Sequence, residues 1–538
     1  MLLRSCTIVF ALSLALLPVR PATARTDAPA THTIVNVSLG AASTMPTSGR
    51  LLVFATLAKD ARPGKDGKVT EIAMSPFSPK AVAIAAREIS RIAPGDTVGI
   101  DADETAFPQG FSQLPPGDYL VQAILDVNHD YNYGGRSPGD LSSAVVPVKV
   151  APGLAWPVLT LTDKVPARDN WTLPPNASQD ARDAAPEARK HATAIDFVSP
   201  SLSAFWGRPI HMKAWVLTPP GYKPDGGERY PVVYETHGFG GSFEHYAGSV
   251  VNAWAAMSKG QMPRMVWVFL DESSPTGTHE FADSVNNGPW GEALTTELIP
   301  SLEKQYKMDG KASGRLLNGH SSGGWATLWL QTRYPKIFGG TWSTSPDPSD
   351  FHDFTGTDLY ASNANLYYGA DGKETPLIRD RGKVIATMKT FAQLERVLGE
   401  YGGQIASFEW VFSPRAADGR PAPMFDRDTG AVDPAVVIYW RDHYDIAWRL
   451  KNHWPELKPD LDGKIHLYVG TADTFYLDGA AHKLQAVLDG LHAKSSFHFL
   501  EGRTHGNLYV EGDDKIALLK KITWEMYEVA RPGKGKAP

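Results

Sequence analysis

Gly319-His320-Ser321-Ser322-Gly323 sets a serine between small residues in the pattern G-x-S-x-G. That spacing suits a nucleophilic serine on a sharp strand-to-helix turn, with the next backbone N–H free to hold an oxyanion. The letters alone are weak evidence, because Gly135-Arg136-Ser137-Pro138-Gly139 matches them too. There the residue after the serine is Pro138, which has no N–H to donate, and no helical pattern follows. Ser137 therefore reads as a loop residue. Around Ser321 the context fits: Arg315-Leu316-Leu317-Asn318 is a short β run ending at Gly319, and Gly323-Gly324 allow a helix to pack close to a sheet. Trp325, Leu328, Trp329 and Tyr334 continue at helical spacing to Pro335.

A serine nucleophile needs a base, an acid that orients the base, and a second oxyanion donor. Of 16 histidines, His505 lies in the polar loop Glu501 to Asn507, after the β run Ser496 to Leu500 and before the amphipathic run Ile516 to Tyr527. Gly506 is expected to let that loop project the imidazole. Asp473 is the first carboxylate past the strand Ile465 to Val469 and is the expected acid, with Asp478 second and Asp347 third. A helix N-cap is the structural alternative for Asp473. His237-Gly238-Phe239-Gly240-Gly241 follows the strand Tyr230 to Glu235, and its glycines can turn amides toward one point. The Phe239 and Ser322 amides are the expected oxyanion donors, and His237 a loop brace. His320 and Trp290 are candidates for substrate contact, with a structural role equally open for Trp290.

Elements must bring these positions together. After about residue 200, short buried strands alternate with helices, the signal of a parallel sheet. The strand candidates are Tyr230 to Glu235, Met265 to Leu270, Arg315 to Asn318, Thr341 to Ser345, Ile465 to Val469 and Phe497 to Leu500. Residues 346–460 break the alternation and hold Tyr367, Tyr368, Trp410, Phe425, Tyr439, Trp440 and Tyr444, so an insertion over one end of the sheet is expected. Residues 33–165 read as a small all-β, Ig-like domain, with runs at Leu51 to Leu57, Tyr119 to Leu125, Ala144 to Val150 and Val158 to Leu161. Residues 166–198 read as a linker, 199–530 as the catalytic domain and 531–538 as a disordered tail. There is no internal repeat.

Four stretches carry a family likeness: Tyr234 to Gly241, Gly288 to Tyr306, Gly319 to Phe338 and Thr504-His505-Gly506. They resemble the esterase D-like branch of the α/β hydrolases, which includes feruloyl and acetylxylan esterases, siderophore ester hydrolases, a thioester hydrolase and exported mycolyltransferases. The resemblance implies an α/β-hydrolase fold and carboxylic ester hydrolysis through an acyl-enzyme, and several members carry an N-terminal β-sandwich. The long insertion departs from the simple members, so the substrate class does not carry over; bulky, sugar-linked or siderophore-type esters are the expectation. Rival readings are an acyltransferase with the same site, a peptidase (for which no terminus-binding motif is present) and a binding protein on an inactive scaffold.

The 538 residues are 42% hydrophobic and 21% charged, the balance of a globular protein. A net charge of −6 without a Lys/Arg cluster gives no track for nucleic acid. Residues 1–24 read as an export signal, with Arg4, an apolar core from Ile8 to Leu17 and a cleavage site at Ala22-Thr23-Ala24. Losing Arg4 and Arg20 takes −6 to −8, and Cys6, the only cysteine, leaves with them. A disulfide-free exported chain points to a bacterial periplasm or exterior. Asp126 to Asn132 spaces oxygens at alternate positions, as Ca²⁺ loops do, but the full EF-hand pattern is absent and an Asx-rich turn between strands is the simpler account. No metal or cofactor is expected, and the oligomeric state is open.

Overall fold

The computed structural model describes residues 32–534, apart from 65, 133–134, 152, 168, 174–176 and 400–402. The expected export signal, 1–24, lies outside the described residues. No helix among the described residues is long and apolar enough to cross a membrane.

Nine strands come first: β1 (Ile34–Leu39), β2 (Thr47–Leu57), β3 (Ala83–Ile92), β4 (Thr97–Asp101), β5 (Ala106–Phe107), β6 (Gly117–Asp126), β7 (Leu141–Ser143), β8 (Val146–Val150) and β9 (Leu159–Lys164). They form one sheet in the order β4-β1-β9-β7-β6-β2-β3-β5, with β8 also on β6. The sheet curls so that alternate residues such as Val35, Val37, Val53, Ala85, Ile100 and Val121 share one core. Alternation in β2 sends Leu52 and Phe54 to the other face, where a second cluster forms.

The expected linker contains structure. Helix α1 (Gln179–His191) is capped by Ser178, whose Oγ accepts the Ala181 N–H, and strand β10 (Ala192–Val198) pairs antiparallel with β11 (His211–Leu217). Two properties hid them: Pro186 interrupts the helical pattern, and an edge strand half exposed to water needs no continuous apolar run.

Helix α2 (Pro200–Trp206) separates β10 from β11, which is followed by β12 (Val232–Thr236), α3 (Ala247–Ser258) and β13 (Val266–Leu270). Four two-residue strands, β14 (Ser273–Ser274), β15 (Gly277–Thr278), β16 (Asp283–Ser284) and β17 (Gly288–Pro289), lead to α4 (Trp290–Ala293) and α5 (Ile299–Gln305). Next come β18 (Arg315–His320), α6 (Ser322–Arg333) and β19 (Gly340–Thr344). The insertion then supplies β20 (Pro376–Asp380), β21 (Lys383–Thr387), α7 (Met388–Leu398), α8 (Gln404–Phe412), α9 (Pro434–Tyr444) and α10 (Ile446–Leu461). The chain returns through β22 (Ile465–Gly470), α11 (Asp478–Gly490), β23 (Ser495–Leu500) and α12 (Ala517–Ala530).

The second sheet has the order β10-β11-β13-β12-β18-β19-β22-β23. Its first two pairings are antiparallel and the rest parallel. Both faces are covered. Leu316 faces the layer of α1, α3 and α12, whereas Leu317 faces α5 and α6. Each is fully buried, worth about 2–3 kcal/mol against exposure. This double coverage buries Leu316 to Gly319 of β18 and fixes its C-terminal end at the centre of the sheet. At the far terminus, Arg531 is not loose tail: its guanidinium grips Asp309 with contacts of 2.6 and 2.8 Å.

Candidate active site

Ser321 stands between β18 and α6 with φ 61° and ψ −124°, a strained conformation for a residue with a side chain. The glycines around it are there for room. A Cβ on Gly319 would lie 2.1 Å from the Gly323 carbonyl oxygen, and one on Gly324 would lie 2.8 Å from that of Thr344. As the first residue of α6, Ser322 has an N–H with no acceptor inside the helix.

The loop after β12 lies directly on the serine. A Cβ on Gly238 would fall 3.0 Å from Ser321 Cβ and 3.7 Å from its Oγ, and Phe239 lines the same cavity. His237 braces this loop, as its sequence context suggested: Nδ1 donates to the Gly238 carbonyl at 2.9 Å, and Nε2 meets Asp271 at 3.0 Å. Burial opposes charge on His237, yet the Asp271 bond and the neighbouring carboxyls hold its pKa above the usual value.

His505 opens a short 3₁₀ turn, His505–Asn507, after β23, and Thr504 and Asn507 cap that turn reciprocally. Gly506 has an ordinary φ and open space around it, so the turn does not depend on a glycine there. Nδ1 of His505 lies 2.9 Å from Oδ2 of Asp473, which is fully buried. The other oxygen of Asp473 accepts the Phe475 N–H at 2.9 Å and the Leu477 N–H at 3.5 Å. Burial works against ionisation of Asp473, but the His505 bond and charge, with the Phe475 amide, hold its carboxyl below the usual range.

The two rival carboxylates are engaged elsewhere. Asp478 pairs with Arg379 at 3.0 Å, while Asp347 accepts the Ser322 hydroxyl at 2.6 Å. Ser321 and His505 line one cavity, although no hydrogen bond joins them in this structure. Hydrogen bonds of a serine–histidine pair commonly tighten only around substrate. His320 also lines the cavity, its ring 4.3 Å from that of His505, and burial drives its pKa down to about 3, so it is neutral.

Trp290 is not where a pocket residue would be. It is buried with its ring stacked 3.6 Å from that of His279 and its N–H given to the Asn287 carbonyl, so it serves packing. Four of the insertion aromatics singled out above behave alike: Tyr367, Phe425, Trp440 and Tyr444 are buried in a core that the insertion shares with α6, β22 and α11, while Tyr368 and Tyr439 are partly buried against it. The cavity, about 570 Å³, is instead walled by Phe239, Phe354, Phe391, Phe408 and Phe475. Of these, sequence reasoning reached only Phe239, for its amide; it missed the other four because a cavity-lining phenylalanine and a core phenylalanine have the same local signature.

Asp347 also lines the cavity, and only its position after a strand hinted at it. Burial in chief lifts its carboxyl to about 6, with the Ser322 bond and His505 pulling the other way. Between about pH 4 and 6 the folded chain thus keeps a proton that the unfolded chain has lost, so this group's contribution to stability falls as pH rises through that window. The cost at neutral pH is about 3 kcal/mol. Asp347→Asn keeps an acceptor for Ser322 without the charge. It is expected to be more stable than the parent at pH 7.5, by about 1–3 kcal/mol, and not at pH 4. Urea unfolding at both pH values measures this; no gain at pH 7.5 would refute it.

Away from this cavity, the carboxyls of Asp126, Asp130 and Asp140 come within 4.8 Å of one another. Asp126 accepts the amides of Asn128, Asp130 and Tyr131, and Asp140 those of Val127 and Ser137. The loop's own N–H groups thus engage oxygens of Asp126 and Asp140, as in an Asx-rich turn, while Asp130 Oδ1 is buried without a hydrogen-bond partner among the described residues.

Residues 207–507 match the family model described as "Putative esterase". Among solved structures, a fluorophosphonate-binding serine hydrolase of Staphylococcus aureus is similar at 12% identity, with 63% of this chain and 98% of that one covered and a TM-score of 0.37. An S-formylglutathione hydrolase from Agrobacterium tumefaciens is similar at 14% identity, covering 63% and 95%, with a TM-score of 0.35. A ferulic acid esterase from Anaeromyces mucronatus is similar at 13%, covering 62% and 88%, with a TM-score of 0.32. The search of curated proteins returns no match. With its family model spanning more than half of the sequence, this chain belongs to that esterase family, has the α/β-hydrolase fold and is a carboxylic ester hydrolase.

Proposed function

We propose that this chain is an exported serine esterase that works through Ser321, His505 and Asp473. The observation that carries the reading is the strained Ser321 turn opening onto the same cavity as the 2.9 Å His505–Asp473 pair. His505 Nε2 takes the Ser321 hydroxyl proton as Oγ attacks the ester carbonyl. The Ser322 and Phe239 amides hold the oxyanion, each such donor being worth about 3–4 kcal/mol in the transition state. His505 then protonates the departing alcohol, and later activates the water that releases the acid. Asp473 keeps the imidazole in the tautomer with Nδ1 protonated.

The phenylalanine-rich wall supports a bulky apolar ester. Residues 1–24 and the absence of any other cysteine support a periplasmic or external location. The test is labelling with a fluorophosphonate probe. The parent chain should label at Ser321, and Ser321→Ala should not; equal labelling of the two would exclude this serine as the nucleophile.

A further inference from the structure

The catalytic cavity is not built by the hydrolase sheet and its insertion alone. Pro76 and Phe77, from the segment between β2 and β3, line it as well. Phe77 is 52% exposed, an aromatic ring held in water that packs into no core. Its ring lies 6.5 Å from that of Phe475, which in turn meets the His505 imidazole edge-on at 4.9 Å. A second loop from the same region also approaches: a Cβ on Gly240 would be 3.9 Å from Asn132 Oδ1.

Helix α7 fixes the N-terminal sheet against the cavity. Met388 and Phe391 line the cavity, while Leu394, Val397 and Leu398 pack on Leu52, Phe54 and Tyr131 of the N-terminal region. Arg50 on β2 clamps the end of that helix, Nε donating to the Val397 carbonyl at 2.9 Å and Nη2 to that of Arg396 at 3.2 Å. One helix therefore serves as cavity wall on one side and as dock for the sheet on the other.

We infer that the N-terminal β region forms part of the substrate site, and that Phe77 is a specificity-determining residue for the alcohol half of the ester. This rests on the proposed roles of Ser321 and His505. The direction follows from chemistry: His505 must protonate the leaving oxygen, so the alcohol lies on the His505 side, where Phe475 and then the exposed Phe77 follow. A flat apolar alcohol longer than one ring would reach Phe77; an acyl group on the opposite side would not.

The test uses the full chain and its Phe77→Ala and Phe77→Leu variants, with 4-biphenylyl acetate, phenyl acetate and phenyl butyrate. The biphenylyl-to-phenyl ratio of kcat/KM should fall about five- to tenfold in Phe77→Ala, mostly through KM, and less in Phe77→Leu. The butyrate-to-acetate ratio should move less than about twofold. An unchanged biphenylyl ratio, or a change confined to the acyl ratio, would overturn the inference while leaving the serine reading intact. Failure of the parent chain to label with fluorophosphonate would instead overturn that reading, and this inference with it.

Discussion

Asp473→Asn is expected to lower kcat about 10⁴-fold while the protein remains folded. The size of the effect follows from which way the new amide must face. One oxygen of Asp473 already accepts the Phe475 and Leu477 amides, so an asparagine will keep its carbonyl there. Its NH₂ then points at His505 Nδ1, 2.9 Å away in the parent. Facing a donor, Nδ1 must give up its proton and accept, which moves the proton to Nε2. A protonated Nε2 cannot take the Ser321 proton. Steady-state kinetics on phenyl acetate, with circular dichroism as a check on the fold, would measure this; a loss below about tenfold would show that Asp473 does not set the tautomer.

Gly323→Ala should damage both the fold and the chemistry. A Cβ there would lie 2.5 Å from the His237 carbonyl oxygen and 2.6 Å from that of Thr236. Both are backbone atoms, so neither can swing away as a side chain would. Relief requires α6 to move off the end of β12, and with it the Ser322 amide moves relative to Phe239. Overpacking of this kind costs about 1–3 kcal/mol. Misplacing an oxyanion donor costs about 10²–10³ in kcat. Gly490→Ala, where nothing lies within 4 Å of an added Cβ, serves as the control and should lower neither quantity. If Gly323→Ala matched that control in kcat, close contact between loop and helix would be irrelevant to catalysis.

Several features of the site could be read directly from the chain because their requirements are local. The strand-turn-helix at Ser321 needs a buried β run, small residues around a strained serine and an apolar helical period, all within about twenty consecutive positions. The strands of the parallel sheet were equally legible, since they are short, β-rich runs that alternate with helical patterns. Where only one face or an edge is covered, that demand relaxes, and β10 passed for part of a linker.

Composition and spacing thus determined the strand-turn-helix that holds Ser321, the six parallel strands of the central sheet, and that His505 and three carboxylates end near one rim of it. Folding decided which carboxylate meets the imidazole. Asp473, Asp478 and Asp347 all follow strands or begin helices, and only the packed chain gives Arg379 to one, the Ser322 hydroxyl to another and His505 to the third. Folding also decided that Trp290 is core and that Phe77, in an unremarkable loop more than two hundred residues away, faces the cavity. The physical reason is the same in both cases. Backbone preferences act over a few residues and leave a trace in the local sequence, whereas partner choice among similar side chains depends on distances that exist only once the layers have packed.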